Sequence, residues 1–357
     1  MDIKTLQTIT KNFTKELGDA KAGRKTSLPF IVHQLASHPI VAPGETFQVL
    51  KIGGSILQKS LLVRPNGEII IKTFEEEHLP VLTTKDVFLS VIDKNISTRA
   101  SVVAINFAYP MKPVFEDGRL DGILFNGTKE HAFNGLMGQR VGKTIELYVK
   151  SKYGRDIRVA MANDTICLAL AGLTRHTAKN LSGGIVGTGM NFAVFLDETH
   201  LVNLESACFD KFPQTEEGKQ IDMQSIEKGN ALFEKEVSGG YLYHHFNILL
   251  NKRQIKHPAI ESTHAMDKLA HGNISGVSDL ARDLFDHSAS LIACQIAGIT
   301  NFKKCDMTFV MEGSLFWVGW RYKQKVEEYV KILAPKYKVT FEEIKDCGIY
   351  GAAKLVT

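Results

Sequence analysis

Residues 183–196 read Gly-Gly-Ile-Val-Gly-Thr-Gly-Met-Asn-Phe-Ala-Val-Phe-Leu. The Gly187-Thr188-Gly189 turn separates two arms rich in β-branched and aromatic residues, the pattern of strand, tight turn and strand. An echo lies upstream, where residues 49–63 read VLKIGGSILQKSLLV, with Gly53-Gly54-Ser55 between the arms. That unit continues through Pro65-Asn66-Gly67 into EIIIKTF, and Asn-Gly between β-rich runs is a strong hairpin signal. Three consecutive antiparallel strands are therefore expected between 47 and 74. Working outward, helices are expected near 84–95 and 141–149, with strands at 101–107 and 158–162. Beyond 196 the pattern predicts helices over 226–251 and 277–298, then strand, turn and strand over 307–317 around Gly313-Ser314. A helix over 322–333, a strand over 338–344 and a last helix from Gly348 complete the chain. A strand triplet with helices that begins twice predicts two related α/β lobes facing a cleft.

Composition agrees with that size of fold. The chain has 357 residues, 44% apolar and 23% charged, which suits two globular domains and leaves little room for disorder. Lys and Arg total 43 against 39 acids, an excess too small and dispersed for a nucleic-acid binder. No apolar run reaches the ~20 residues of a membrane span. The stretch from His287 to Phe302 is uncharged but contains Ser, Gln and Gly, so a buried helix is expected. At the N-terminus, Ile3, Leu6, Ile9, Phe13 and Leu17 recur near helical spacing, predicting an amphipathic helix rather than a signal peptide. Five cysteines, none at CxxC spacing, argue against a zinc ribbon, a redox motif or a disulfide framework. Reduced thiols in a cytoplasmic protein are the expectation.

Several residue groups could carry chemistry. Glycine turns at 53–55, 187–189, 313–314 and 348–351 are each able to present N–H groups to phosphate oxygens, or to serve only as turns needing positive φ. None is a Walker A loop, and no GxGxxG follows a strand. Asn163-Asp164-Thr165 follows the strand RVAMA. There Asp164 is either a helix cap or a general base at the carboxyl end of a strand. Glu205 and Glu234 sit in apolar surroundings, as partly buried acids or as acceptors for vicinal sugar hydroxyls. His244-His245 reads as a pair on a helix surface or near a lobe junction. The twelve histidines show no HExxH, and no metal ligand is assigned.

These pieces resemble the eukaryotic-type hexokinases. Asn163-Asp164-Thr165, Gly184 to Asn191, Asn203-Leu204-Glu205 and Leu232 to Gly239 follow the order and spacing of that family's Asn-Asp-Thr strand end, IVGTGTN turn, NMEWG segment and FEKMISG helix. Ser27-Leu28-Pro29-Phe30-Ile31 is similar to its LPT-F-V start, and Gly122-Ile123-Leu124-Phe125 with Thr128-Lys129 to its GIL and TKGF stretch. Glu312 to Phe316 is similar to DGSLY, and Asp346 to Lys354 to the DGSG-x-GAA ending. The resemblance implies an α/β, two-lobed actin/hexokinase/Hsp70-like (ribonuclease H-like) fold with a central cleft. It also implies an N-terminal helix and lead-in segment over 1–44, packing on the large lobe. The small lobe would span 45–165 and the large lobe 166–357, with the last helix a candidate to return to the small lobe.

Carried over by position, Asp164 would take the proton of a hexose 6-hydroxyl, and Thr128, Lys129, Asn163, Asn191, Glu205 and Glu234 would hold the sugar. Gly53, Gly54, Ser55, Gly187, Thr188 and Gly189 would face the phosphates, and Gly313, Ser314 and Gly348 the nucleotide side. ATP with Mg²⁺ and a hexose such as glucose are the implied partners; the oligomeric state is not legible. The departures matter. The family's DLGGTNFR loop is here Lys51-Ile52-Gly53-Gly54-Ser55-Ile56-Leu57-Gln58, so a lysine replaces the acid that meets Mg²⁺ through water. SFP has become Ala108-Tyr109-Pro110, the Gly-Phe after Thr-Lys has become Glu130-His131, and the Trp after the sugar Glu is Ser206. Two functions follow: an ATP-dependent hexose kinase, or a weakly active or non-catalytic sugar-binding and regulatory relative. Assembly in the manner of actin or Hsp70 shares only the fold.

Overall fold

The computed structural model describes residues 1–127 and 130–357. Two compact units share them, each assembled from separated stretches of chain: 31–183 with 195–203 and 344–357, and 1–30 with 184–194 and 204–343.

The first, here the five-strand unit, is built on a sheet with the order Ile70–His78, Ile56–Val63, Thr46–Ile52, Val102–Phe107 and Arg158–Ala162. The three early strands are antiparallel, as expected, and the last two run parallel to Thr46–Ile52. Asn66 and Gly67 make the hairpin with φ of 50° and 87°, a left-handed pair these residue types tolerate. Val102–Phe107 is buried along its whole length, which requires cover on both faces. Leu50, Ile52, Ile105 and Phe107 share a core with Phe88 and Ile92 of the helix Lys85–Asn95 and Ile145 of the helix Val141–Tyr153. Against the strands also pack the helices Asp164–Ala171 and Cys347–Lys354. These two helices approach so closely that a methyl on Gly351 would fall on the Cys167 carbonyl oxygen. A separate hairpin, Met111–Glu116 with Arg119–Leu124, turns through Asp117-Gly118, both at positive φ. The buried Asp121 carboxylate accepts the Gly142 and Lys143 N–H groups at 2.8 and 3.1 Å, which fixes the start of the 141–153 helix.

The second, the long-helix unit, centres on the helix Val277–Lys303. Its uncharged run is buried as expected. The N-terminal helix Ile3–Lys21 is capped by Asp2 and buries Leu6, Ile9, Phe13 and Leu17. Gly298 gives Phe13 its seat: a Cβ there would stand 2.7 Å from the Phe13 ring. The strand order among this unit's residues runs 190–194, 184–186, Met307–Glu312 and Val339–Glu342, the last two parallel.

Three local expectations change here. The 226–251 helix is two helices, Leu232–Val237 and Leu242–Lys252. They part because the Gly239 and Gly240 N–H groups donate to Gly187 and Thr188 carbonyls, at 2.8 and 2.9 Å, instead of continuing a helix. Residues 307–317 are not strand, turn and strand. The strand ends at Glu312, and Ser314–Val318 is a short helix. Gly313, at φ 115°, redirects the chain, and the Trp317 indole N–H donates back to the Met311 carbonyl at 3.0 Å. His245 is not on a surface: it is 2% exposed, and its Nε2 bonds the Lys235 carbonyl at 2.8 Å.

Candidate functional site

In the five-strand unit the strand Arg158–Ala162 runs out at Asn163, whose extended backbone lets its Oδ1 cap the next helix by accepting the Ile166 N–H at 3.0 Å. The cap is thus Asn163, and Asp164 is the first helical residue. Its Oδ1 accepts the Thr165 N–H at 2.8 Å and faces the Thr165 hydroxyl at 3.3 Å. A half-buried carboxylate at the positive end of a helix is favourably placed as an anion. Cys167, one turn on, is fully buried. Burial pushes its thiol well up, the charges of Asp164 and Cys347 push it further, and Lys51 pulls it down, so Lys51 and Asp164 act on one spot in opposite senses. A thiol so placed is no nucleophile. The Lys51 stem lies on Gly348, where a Cβ would stand 2.7 Å from its Cδ.

The turn 53–55 is held by its carbonyls. Tyr109 hydroxyl donates to the Gly53 carbonyl at 2.7 Å, and the Leu79 N–H to the Ser55 carbonyl at 2.9 Å. The third is taken by His131, whose Nε2 lies 2.8 Å from the Gly54 carbonyl. His131 Nδ1 accepts the Leu82 N–H at 2.9 Å, which leaves the proton on Nε2 to donate to Gly54.

In the long-helix unit the Gly187-Thr188-Gly189 turn is held by the Gly239 and Gly240 N–H groups described above. Gly313 abuts it; a methyl there would overlap the Val186 carbonyl and come within 2.8 Å of the Gly187 nitrogen. Just past the turn, Glu234 Oε2 accepts the Met190 N–H at 2.9 Å. Burial pushes the Glu234 carboxyl above its ordinary value, and the Met190 bond and Lys235 partly offset this. Asn191 Oδ1 accepts the Phe192 and Ser206 N–H groups at 2.8 and 3.2 Å, tying the strand to the segment that carries Glu205. Glu205 itself has a φ of 46°. Beyond burial, the Cys208 thiol is raised first by Glu205 and, more weakly, by Glu234 and Glu227, so the two sugar-set acids share a neighbourhood. Asn191, Glu205 and Glu234 are therefore brought together. Thr128 and Lys129 lie outside the described residues.

A cavity of about 250 Å³ opens beside the second turn, lined by Thr188, Ser314, Thr263, Asp267, Phe285 and Leu315 among others. Thr263 hydroxyl donates to the Gly239 carbonyl at 2.6 Å, and an Asp267 oxygen accepts the Trp320 N–H at 2.8 Å. Sequence reading reached Thr188 and Ser314 but missed Thr263, Asp267 and Phe285. Their only local signal is the Ser262 cap of the helix Thr263–His271, which says nothing of a cavity.

A model of one family, described as Hexokinase, matches residues 256–357. The chain is similar to the chloroplastic hexokinase-4 of Oryza sativa subsp. japonica, 28% identical over 263 residues, which are 63% of this chain and 50% of the rice protein. It is also similar to hexokinase-2 of Candida albicans, 25% identical over 334 residues, 78% of this chain and 67% of that one. The match thus spans about half the length of the rice relative. A crystal structure of a hexokinase superposes with a TM-score of 0.79 at 19% identity, covering all of this chain and 96% of the other. The Schistosoma mansoni hexokinase complexed with glucose gives 0.74 at 18%, covering 100% and 95%. The fold is the α/β actin/hexokinase/Hsp70-like one expected from the sequence.

Proposed function

We propose that the chain is a divergent member of the hexokinase family and that it phosphorylates a hexose such as glucose at the 6-hydroxyl, with ATP as donor. The observation that carries this reading is the gathering of Asn191, Glu205 and Glu234 at one end of one hairpin. Two acids and an amide in a small space suit a ligand with several vicinal hydroxyls. Asn163, and Thr128 and Lys129 outside the described residues, complete the proposed sugar set. Asp164 is the proposed base: it takes the 6-hydroxyl proton as that oxygen attacks the terminal phosphorus of ATP. The glycine turns are the proposed phosphate contacts, and the cavity walled by Phe285 and Leu315 suits the nucleoside. The reaction is proposed for the cytosol, where the five thiols stay free.

The test is Asp164→Ala, assayed by coupled phosphorylation of glucose beside calorimetric glucose binding. A base acts in the transition state more than in ground-state binding. Turnover is expected to fall ~10²–10⁴-fold, with glucose affinity kept within a few-fold. Turnover within about tenfold of wild type would remove Asp164 from the role.

A second reading, a weakly active or non-catalytic sugar-binding protein, is favoured by Lys51. Mg²⁺, which the family reading brings with ATP, meets the wrong donors at the first turn. An ammonium, the Asn106 amide and peptide N–H groups supply no anionic oxygen. Among the described residues, no three His, Cys, Asp or Glu side chains gather to hold a metal.

A further inference from the structure

The first glycine turn carries its own substitute for the missing acid. By strand alternation Leu50 and Ile52 face the core with Ile105 and Phe107, so Lys51 faces the other side of the sheet. There it stands opposite Asn106 in register, with its stem on Gly348. Tyr109 and His131 belong to the core side. The Tyr109 ring packs on Phe107 and Phe133 at 4.7 and 4.8 Å, and His131 packs edge-on to Tyr109 at 5.4 Å. From that side they draw in the Gly53 and Gly54 carbonyls. A trans peptide is planar, so the N–H of each following residue points the opposite way. The Gly54 and Ser55 N–H groups are thereby turned toward the Lys51 side, and neither has a partner among the described residues. Asn106, 2% exposed, lies on the same side, and its Oδ1, an acceptor, has no partner among the described residues.

We propose that Lys51 takes the place of a divalent cation at this turn: its ammonium and the Gly54 and Ser55 N–H groups hold phosphate oxygens without a metal, and His131 is a positioning residue that keeps the turn aimed. The inference rests on the ATP-donor reading and deepens it. Lysine is a compact point charge with three donors, a form that suits phosphate oxygens. His131 stands where the resembling family has an aromatic residue without polar atoms, so this brace belongs to this chain.

The experiment titrates inorganic tripolyphosphate and ATP into the full chain by calorimetry, in EDTA and in Mg²⁺, with a parallel glucose titration. Wild type is expected to bind tripolyphosphate in EDTA within about threefold of its affinity in Mg²⁺. Loss of one charge-assisted contact is worth about tenfold or more, so Lys51→Met, which keeps the stem, is expected to weaken binding in EDTA by that factor. Lys51→Asp is expected to bind only with Mg²⁺ present. His131→Phe is expected to lose about three- to tenfold in tripolyphosphate affinity, with glucose affinity unchanged, and His131→Gln, which retains a donor for Gly54, to recover most of it. Wild-type binding that requires Mg²⁺, or a Lys51→Met affinity equal to wild type, overturns the proposal. An unchanged His131→Phe overturns the positioning role. Glucose binding with Lys51-independent polyphosphate binding defeats this inference alone. Lys51-dependent polyphosphate binding without glucose binding defeats the kinase reading and leaves the anion site standing.

Discussion

The two glycine turns do the same mechanical job with different parts. Both have their carbonyls tied back. At 187–189 the ties are main-chain N–H groups of Gly239 and Gly240, and the space is closed by glycines: methyls on Gly189, Gly239, Gly240 or Gly313 would each stand 2.8 Å or less from a neighbouring atom. At 53–55 two of the three ties are side chains, Tyr109 and His131. A turn held by backbone cannot be altered without altering glycines. One held by side chains can drift by single substitutions while keeping its shape. The Gly187-Thr188-Gly189 turn keeps the hexokinase pattern in its own residues, although Ser206 departs beside it; the side-chain-held turn departs at Lys51 and, in its surroundings, at Ala108 and His131.

This contrast breaks first at Gly313. Gly313→Ala puts a methyl against the Val186 carbonyl at a φ of 115° and is expected to cost about 3 kcal/mol; chemical denaturation measures it. A loss under ~1 kcal/mol would show that the second turn yields as readily as the first. Glu234 sharpens the comparison, because it braces the strand leaving the second turn. Its raised carboxyl pKa means that the folded chain holds this proton to higher pH than the unfolded chain does. Stability therefore falls as pH rises between the unfolded and folded values, and the loss persists above them. Glu234→Gln removes that slope. Near neutral pH its unfolding midpoint is expected to equal or exceed wild type, while glucose affinity falls about tenfold. A lower midpoint with intact affinity would make Glu234 a structural brace only. The smallest effect is expected at the first turn, where Tyr109→Phe removes one bond to the Gly53 carbonyl and costs about 1 kcal/mol. A cost near 3 kcal/mol would erase the distinction between the two turns.

What was legible in the sequence follows from the same contrast. The hairpins at 47–74 and 183–196 could be read because Asn-Gly and Gly-Thr-Gly act locally, within a few residues. Glu205 and Glu234 were recognisable from their motifs, yet their shared neighbourhood depends on Met190 and Ser206 bonds that no spacing announces. The break at Ser238–Tyr241 was hidden because its cause lies about fifty residues upstream in the glycine turn. The short helix Ser314–Val318 was misread because a short apolar run with a glycine fits strand and helix equally. His131 read only as a departure; its role joins Leu82 and Gly54, 49 and 77 residues away. The Asp267 and Phe285 cavity wall comes from separate helices and has no linear signature.

The helix over Cys167 has a consequence for how the chain is made. The five-strand unit needs residues 344–357, whose Val356 carbonyl accepts the Ile40 and Val41 N–H groups at 2.8 and 3.0 Å. Those partners are some 300 residues apart in synthesis. Strands 46–162 thus emerge from the ribosome and wait, with the apolar flank of Ile166 and Cys167 uncovered, until the late helix arrives. Contacts that distant fold slowly and leave the waiting intermediate open to aggregation, so this unit calls on chaperones during translation.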